Sequence, residues 1–261
     1  MRLEFVRNFG GGSAGLGEPR DVAVATDGTV YVADSASKKV VRLDPSGQLE
    51  GSFVEPFGVA IGSDGSIFVL DSLGKDPVLR FNASGILEAR LGAGIGMYSP
   101  RGLAIDAAGS IYVADTGRGR VVKLSREGQL QGEFHAGGQL AQPVSVAVGR
   151  DGSLYVIDGE TARLSVIDAG DHLLRSWSVA QSTTFDAPHL AIGSSGEVYV
   201  TDPNGAAIEI YDGFGTSLGK VGARGNGDAQ LELPTGLRSD GRGGIWVADT
   251  RNHRIQQWVV K

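Results

Sequence analysis

Residues 100–115 read PRGLAIDAAGSIYVAD. Two apolar runs, GLAI and IYVA, flank a short polar turn, and an aspartate closes the second run. Runs of this length, rich in β-branched and aromatic residues and separated by a glycine-containing turn, specify a β-hairpin. One hairpin fixes little, but the pattern occurs five more times. The other copies are PRDVAVATDGTVYVAD (19–34), PFGVAIGSDGSIFVLD (56–71), PVSVAVGRDGSLYVID (143–158), APHLAIGSSGEVYVTD (187–202) and PTGLRSDGRGGIWVAD (234–249). Their closing aspartates, Asp34, Asp71, Asp115, Asp158, Asp202 and Asp249, are 37, 44, 43, 44 and 47 residues apart, and six units of the mean length, 43, account for 258 of the 261 residues.

Each unit continues in the same way. A third apolar run starts six residues past the aspartate, at Val40, Val121, Leu164, Ile208 and Ile255, and one residue later at Val78. A glycine-containing turn follows, then a fourth run with apolar residues four apart, as in Leu49/Phe53, Leu130/Phe134 and Leu173/Trp177. Four short strands in a period of this length are the signature of a propeller blade. The repeat therefore predicts an all-β, six-bladed β-propeller with four antiparallel strands per blade, forming one domain over residues 1–261. After Asp249 only TRNHRIQQWVVK remains, enough for a third strand and no fourth. The N-terminal EFVRNFGGG repeats the fourth-strand spacing through Phe5/Phe9. The first strand is thus predicted to complete the last blade and close the ring, which removes an open sheet edge.

Composition agrees with this reading and narrows the function. The 41 glycines suit many tight turns and oppose long helices. A net charge of −6 and a pI near 5.3 disfavour nucleic acid as a bulk electrostatic partner. There is no cysteine, so disulfide and thiol chemistry are excluded. The start, MRLEFVRNFGGG, has no apolar core of signal-peptide length, and no window approaches a membrane span. The localisation stays open: a complete chain of this kind would be cytoplasmic, and a fragment of a longer bacterial protein could be extracytoplasmic. The expected state is a monomer.

The glycine-rich connector VGARGNGDAQLELPTGL (221–237) and the DTRNHRI segment (249–255) resemble the NHL-repeat β-propeller family, and the resemblance extends over all six units. It implies a propeller fold. For function it implies a range: the family and its relatives include RNA-binding domains, protein-interaction domains, sensor domains of bacterial kinases and a peptide-amidating lyase. Amidating lyases and lactonase-type propellers hold a metal deep in the channel through His, or through Glu and Asn. No such ring of ligands is legible here, and the four histidines, His135, His172, His189 and His253, share no ligand-like spacing. No metal site and no cofactor is assigned; a structural calcium held by carbonyl oxygens is compatible with the sequence.

In a repeat protein, what every unit shares belongs to the fold. The six aspartates are expected to accept hydrogen bonds from turn N–H groups. The aromatics Tyr31, Phe68, Tyr112, Tyr155, Tyr199 and Trp246 are expected in the core. Acidic turn residues such as Asp27, Asp44, Asp64, Asp106, Asp151 and Asp240 belong to the ends of hairpins, opposite the basic turns.

Departures from the repeat carry the functional expectations. Thirteen residues before the closing aspartate three units have glycine (Gly58, Gly102, Gly236), while the others have Asp21, Ser145 and His189. Asp, Ser and His invite a nucleophilic reading, but Asp21 and His189 lie two blades apart, beyond the direct reach that a triad needs. Eleven residues before the aspartate an alanine stands in five units and Arg238 in the last, for which Asp240 and Asp21 are the candidate partners. Fourteen residues before it stand Arg20, Phe57 and Arg101 in the first three units. Two arginines with a phenylalanine suit a carboxylate, a phosphate or a peptide. Arg118, Arg251 and His253 in the turns after the second strand add positive charge on the same side.

The expected function is a binding module that recognises a protein, a peptide or another anionic ligand, including an anionic small molecule, through Arg20, Phe57, Arg101, His189, Arg238, Arg118, Arg251 and His253. The alternative is a lyase or hydrolase using His189 with Asp21 or Arg238 at the mouth of the central channel. RNA binding ranks last, because Phe57 and Tyr98 are the only evident stacking aromatics among these arginines.

Overall fold

The computed structural model describes residues 2–10, 15–43, 49–52, 56–181 and 186–261. The Leu49 side chain, Phe53 and Asp44 lie outside the described part. The protein is an all-β, six-bladed β-propeller in which each blade is a four-stranded antiparallel sheet. Helix among the described residues amounts to two short 3-10 turns, Thr116–Arg118 and Thr250–Asn252, and no helix is long and apolar enough to cross a membrane.

The chain forms two compact units. The first, Met1–Pro56 with Ala180–Lys261, holds blades one, five and six. Blade one runs Pro19–Val24, Val30–Asp34, Lys39–Leu43 and Leu49–Ser52. Blade five runs Leu190–Ile192, Val198–Asp202, Ala207–Tyr211 and Ser217–Val221. Blade six runs Pro234–Ser239, Gly244–Asp249 and Arg254–Val260, and Leu3–Phe9 supplies its fourth strand, pairing Phe5 with Trp258 and Phe9 with Ile255. The N-terminal strand thus takes the place that the sequence predicted.

The second unit, Phe57–Val179, holds blades two, three and four. Their innermost strands are Gly58–Ile61, Gly102–Ile105 and Pro143–Val148, and their outermost are Leu87–Leu91, Leu130–Phe134 and Leu173–Ser178. In both units the second strand of each blade is the most buried element. Tyr31, Phe68, Tyr112, Tyr155, Tyr199 and Trp246 are all buried, as expected of a residue type repeated at one register position. In the first unit Tyr199 packs with Ile208, Leu231, Val247 and Trp258, and Trp246 packs with Phe9, Val22 and Leu43.

The closing aspartates do local work. Asp34 accepts the N–H groups of Gly17 and Glu18, Asp158 those of Ala141 and Gln142, Asp115 that of Tyr98, and Asp249 that of Glu232. Each bond reaches back sixteen or seventeen residues, so the carboxylate ties the connector that enters a blade to the end of that blade's second strand. An arginine completes the tie in two blades. Arg254 Nε donates to Asp249 at 2.8 Å while its other nitrogens donate to the carbonyls of Asn226, Gly227 and Gln230. Arg120 likewise bonds Asp115 and the Ile95 carbonyl. Five guanidinium donors in a fixed fork can gather several acceptors at once, which explains arginine here.

Candidate functional site

The first unit brings together residues that the repeat does not account for. Asp21 lies in the inner strand of blade one and is buried to 1% exposure. His189 precedes the inner strand of blade five, and Arg238 lies in that of blade six. Arg238 Nη2 donates to Asp21 Oδ2 at 3.3 Å and its Nε donates to the Val22 carbonyl. His189 Nδ1 stands 3.9 Å from Asp21 Oδ1, which also accepts the Val22 N–H at 2.9 Å. One buried carboxylate therefore faces a guanidinium on one oxygen and an imidazole on the other.

Asp21 and His189 come closer than their places in the chain suggest, but 3.9 Å is longer than a hydrogen bond, so they stay outside the direct reach that a triad needs. Blade six lies between them in the sheet sequence, yet its inner strand carries Gly236 at the matching position. A Cβ there would lie 2.4 Å from Asp21 Cα and 2.5 Å from the Arg20 carbonyl oxygen. The missing side chain lets blade six approach blade one closely. Of the two partners considered for Arg238, Asp21 is the one that it meets. Asp240 accepts the Arg242 and Gly244 N–H groups of its own turn.

Three threonines hold this arrangement in register, and the sequence reading missed them. Thr201 Oγ1 accepts the His189 N–H and donates to the Thr235 carbonyl. Thr235 Oγ1 donates to the Arg20 carbonyl, and Thr250 Oγ1 to that of Pro19. Hydroxyls thus stitch blade five to six and six to one on both sides of His189 and Asp21. Two of them, Thr201 and Thr250, stand beside closing aspartates in VTD (200–202) and ADT (248–250), and Thr235 stands fourteen residues before Asp249, where the first three units have Arg20, Phe57 and Arg101.

Other expected residues of this unit serve the fold. Arg20 is buried, with its guanidinium bonded to Asp186 and 3.2 Å from Glu18 Oε2, so its charge is answered inside the unit. This corrects the expectation of Arg20 as part of an open anion patch. His253 adopts a left-handed φ of 55° at the end of the Thr250–Asn252 turn, and its Nδ1 meets the Gly17 carbonyl. Arg251 is exposed and 4.0 Å from Glu232. Asp186, the partner of Arg20, gave no sign of its role in the sequence, because it follows no repeat position.

The second unit carries a different surface. The Arg101 guanidinium sits over the Phe57 ring, 5.2 Å from its centroid, joining the starts of the inner strands of blades two and three. Both residues are partly exposed. Beside them the connector residue Tyr98 is 66% exposed and packs over Gly117, where a Cβ would collide with its ring. Arg118 is exposed, next to Gly96. Ser145 is buried in the inner strand of blade four rather than open to solvent, and Gly102 admits its backbone, since a Cβ there would lie 2.9 Å from Ser145 Cα. Among the described residues no three His, Asp or Glu side chains converge to hold a metal ion.

The NHL repeat family model matches residues 97–124 and 231–258, so the chain carries recognisable NHL repeats in blades three and six. No curated protein sequence matches. Among solved structures the chain is similar to virginiamycin B lyase from Staphylococcus aureus (TM-score 0.70, 13% identity, covering 100% of this chain and 99% of that one). It is also similar to a gluconolactonase from Xanthomonas campestris (TM-score 0.72, 14% identity, 100% and 90%). A third is a protein of unknown function from Bacteroides thetaiotaomicron (TM-score 0.73, 15% identity, 100% and 76%). At these identities the likeness is one of fold.

Proposed function

We propose that the protein is a binding module that recognises an anionic partner, an acidic peptide segment, through the Arg101, Phe57 and Arg118 surface of its second unit. The observation that carries this reading is the Arg101–Phe57 stack. A guanidinium laid on a ring has one face desolvated before any ligand arrives, while its N–H edge keeps the fork geometry that matches a carboxylate. The ordering cost of a long side chain is thereby reduced at the moment of binding. Exposed Tyr98 adds an amphipathic ring at the same end of blade three. Arg20 is left out of the recognition set, because Asp186 and Glu18 occupy it.

The test is titration of a fluorescent glutamate-rich peptide at low salt. Arg101→Ala should weaken binding by about tenfold or more, and Phe57→Ala by less, with the melting temperature of each near that of the parent chain. Arg20→Ala should lower the melting temperature and leave peptide affinity unchanged. Affinity unaltered in Arg101→Ala, or no binding even at low ionic strength, would reject the reading.

A second reading is favoured by a separate observation, the 3.9 Å approach of His189 to Asp21. An imidazole 3.9 Å from a buried carboxylate can serve general acid–base catalysis if the contact tightens when substrate binds. Arg238 offsets the carboxylate charge. Two of the similar structures are a lyase and a lactonase. Under this reading the protein removes or delivers a proton in a lyase or hydrolase reaction through His189. Turnover found in a panel of lactones and cyclic peptides, and abolished in His189→Ala, would establish it; a panel without turnover would count against it.

A further inference from the structure

Blades three and four enclose a cleft of about 780 Å³ that neither reading above uses. It opens at the other end of blade three's inner strand from the Arg101 surface: Arg101 precedes Gly102–Ile105, and the lining residue Asp106 follows it. One wall is a cross-strand row on the face of blade three, in which Tyr112 pairs with Lys123 and Lys123 with Gly132. Glu133, next to Gly132, alternates onto the other face, where Arg120 takes its carboxylate. The second wall includes the Ala169–Asp171 turn of blade four, and there the Asp171 carboxylate is engaged by the His135 and Ala136 N–H groups.

The cleft is open because three residues that bridge blades two and three have no counterpart here. Arg80 Nη1 donates to the Arg126 carbonyl at 3.1 Å, and the Arg126 guanidinium meets Asp64. Lys123 stands where Arg80 does, each opposite the aromatic of its second strand. Ala169 is second in its turn as Arg126 is, and Ala108 is third in its turn as Asp64 is. An ammonium lacks the fork with which Arg80 reaches across, and the two alanines offer nothing to meet. A second cavity of about 390 Å³, sharing Asp106 and Gly152, lies beside Ala108.

The cleft also holds a polar pair that blade two lacks, since Asp106 stands in place of Gly62 and Tyr112 in place of Phe68. Asp106 Oδ1 accepts the Ala108 and Ser110 N–H groups, and Oδ2 accepts the Tyr112 hydroxyl at 3.2 Å. Burial pushes the Tyr112 hydroxyl above its ordinary pKa, so it stays a donor. Lys123 Nζ lies 5.4 Å from the Tyr112 ring centroid, and among the described residues no carboxylate pairs with it. The ring covers one side of the ammonium and leaves N–H groups for a ligand, while Asp106 Oδ2 keeps a lone pair to accept one more hydrogen bond. We propose that this cleft binds a small hydroxylated carboxylic acid, its carboxylate paired with Lys123 and a hydroxyl donating to Asp106. A charged hydrogen bond fixes one end of such a ligand and a carboxylate acceptor the other, in a space of the size small molecules occupy.

The probe is gluconate, titrated into the isotope-labelled full chain, with two controls: sorbitol, which lacks the carboxylate, and hexanoate, which lacks the hydroxyls. The expected result is saturable movement of the Gly132, Gly152 and Gly170 amide resonances by gluconate, with each control weaker by about tenfold or more. Lys123→Met keeps the stem without the charge and should reduce gluconate to the level of sorbitol. Ala169→Arg restores the residue that blade three has in this turn and should abolish binding by filling the cleft. Both variants should melt near the parent chain. The proposal is overturned if those amides stay still at tens of millimolar gluconate, if either control matches gluconate, or if a folded Lys123→Met chain binds gluconate as before. Should a variant fail to fold, the comparison of the three ligands on the parent chain decides the matter alone.

Discussion

At the start of its inner strands the first unit carries Asp21, His189 and Gly236, with Arg238 two residues further on, and the second carries Gly58, Gly102 and Ser145. In the first unit the departures meet: one buried carboxylate, one imidazole and one guanidinium answer each other within 4 Å. In the second there is no charge at these positions, and the neighbouring Arg101 is carried outward onto Phe57. The difference teaches how a repeat tolerates a charge near its inner strands. Arg238 occupies a position that alanine fills in five blades, and burying it alone would cost several kcal/mol. It is tolerated because Asp21 stands opposite. In the second unit the neighbouring Arg101 is half-buried against the Phe57 ring instead.

The largest test of this contrast is removal of the shared carboxylate. Asp21→Ala should destabilise the protein by about 3 kcal/mol, because it strands Arg238 and His189 against one another; these keep some water, which holds the cost to the low end for a broken buried pair. Ser145→Ala, at the same repeat position in the second unit, should cost about 1 kcal/mol or less by urea unfolding. Returning both breakers to the repeat average, Asp21→Gly with Arg238→Ala, should recover about 1–3 kcal/mol relative to the sum of the single variants. Strict additivity in that cycle would show that the pair does not interact.

Next in size is the pair of close approaches. Gly236→Ala drives a methyl against the Asp21 and Arg20 backbone at 2.4–2.5 Å, where Gly102→Ala meets the Ser145 and Val144 backbone at 2.9 Å. Overpacking of this kind costs about 1–3 kcal/mol, and Gly236→Ala should fall at the upper end and Gly102→Ala at the lower. Equal melting temperatures for the two would remove the argument that Gly236 makes room for the first unit's cluster. In an activity or ligand assay, only Gly236→Ala should disturb what depends on His189.

The smallest effect should be the same in both units. Asp27 and Asp212 in the first, and Asp151 in the second, are held below the usual carboxylate range, each chiefly by the backbone N–H of Thr29, Thr216 and Ser153 respectively. The folded pKa lies below the unfolded value of about 4, so these turns add stability that is present above that pH and is lost as pH falls through the folded pKa. The melting temperature should be level above about pH 5 and decline below about pH 4. Asp27→Asn and Asp151→Asn should each flatten that decline slightly and alike. A flattening confined to one of these variants would mean that one unit governs acid unfolding.

The blades were legible because their signal is local. A strand declares itself by alternation and a turn by glycine and aspartate, and sixfold recurrence turns a weak signal into a strong one. The N-terminal strand's place in blade six could be read from Phe5 and Phe9 for the same reason: a missing fourth strand and a spare first strand had one economical solution. Arg238 was singled out as a departure from the repeat, and Asp21 was among its two candidate partners. The sequence could not choose between Asp21 and Asp240, because that choice depends on which carboxylate its own turn consumes. Asp240 Oδ1 accepts the Arg242 and Gly244 N–H groups of its own turn, whereas Asp21 Oδ2 accepts Arg238.

By itself, then, the sequence determined the number of blades, the strands within them and the list of positions at which the repeat is broken. Only the tertiary structure decided which of those positions meet. Arg20 has the look of a ligand contact in the sequence but lies against Asp186, and His189, two blades from Asp21, stands 3.9 Å from it, where Gly236 lets blade six close onto blade one. The physical reason is range. Hydrogen bonds of turns and the alternation of strands act within a few residues, whereas a salt bridge between blades depends on the volume of a third side chain, and at Gly236 that side chain is absent.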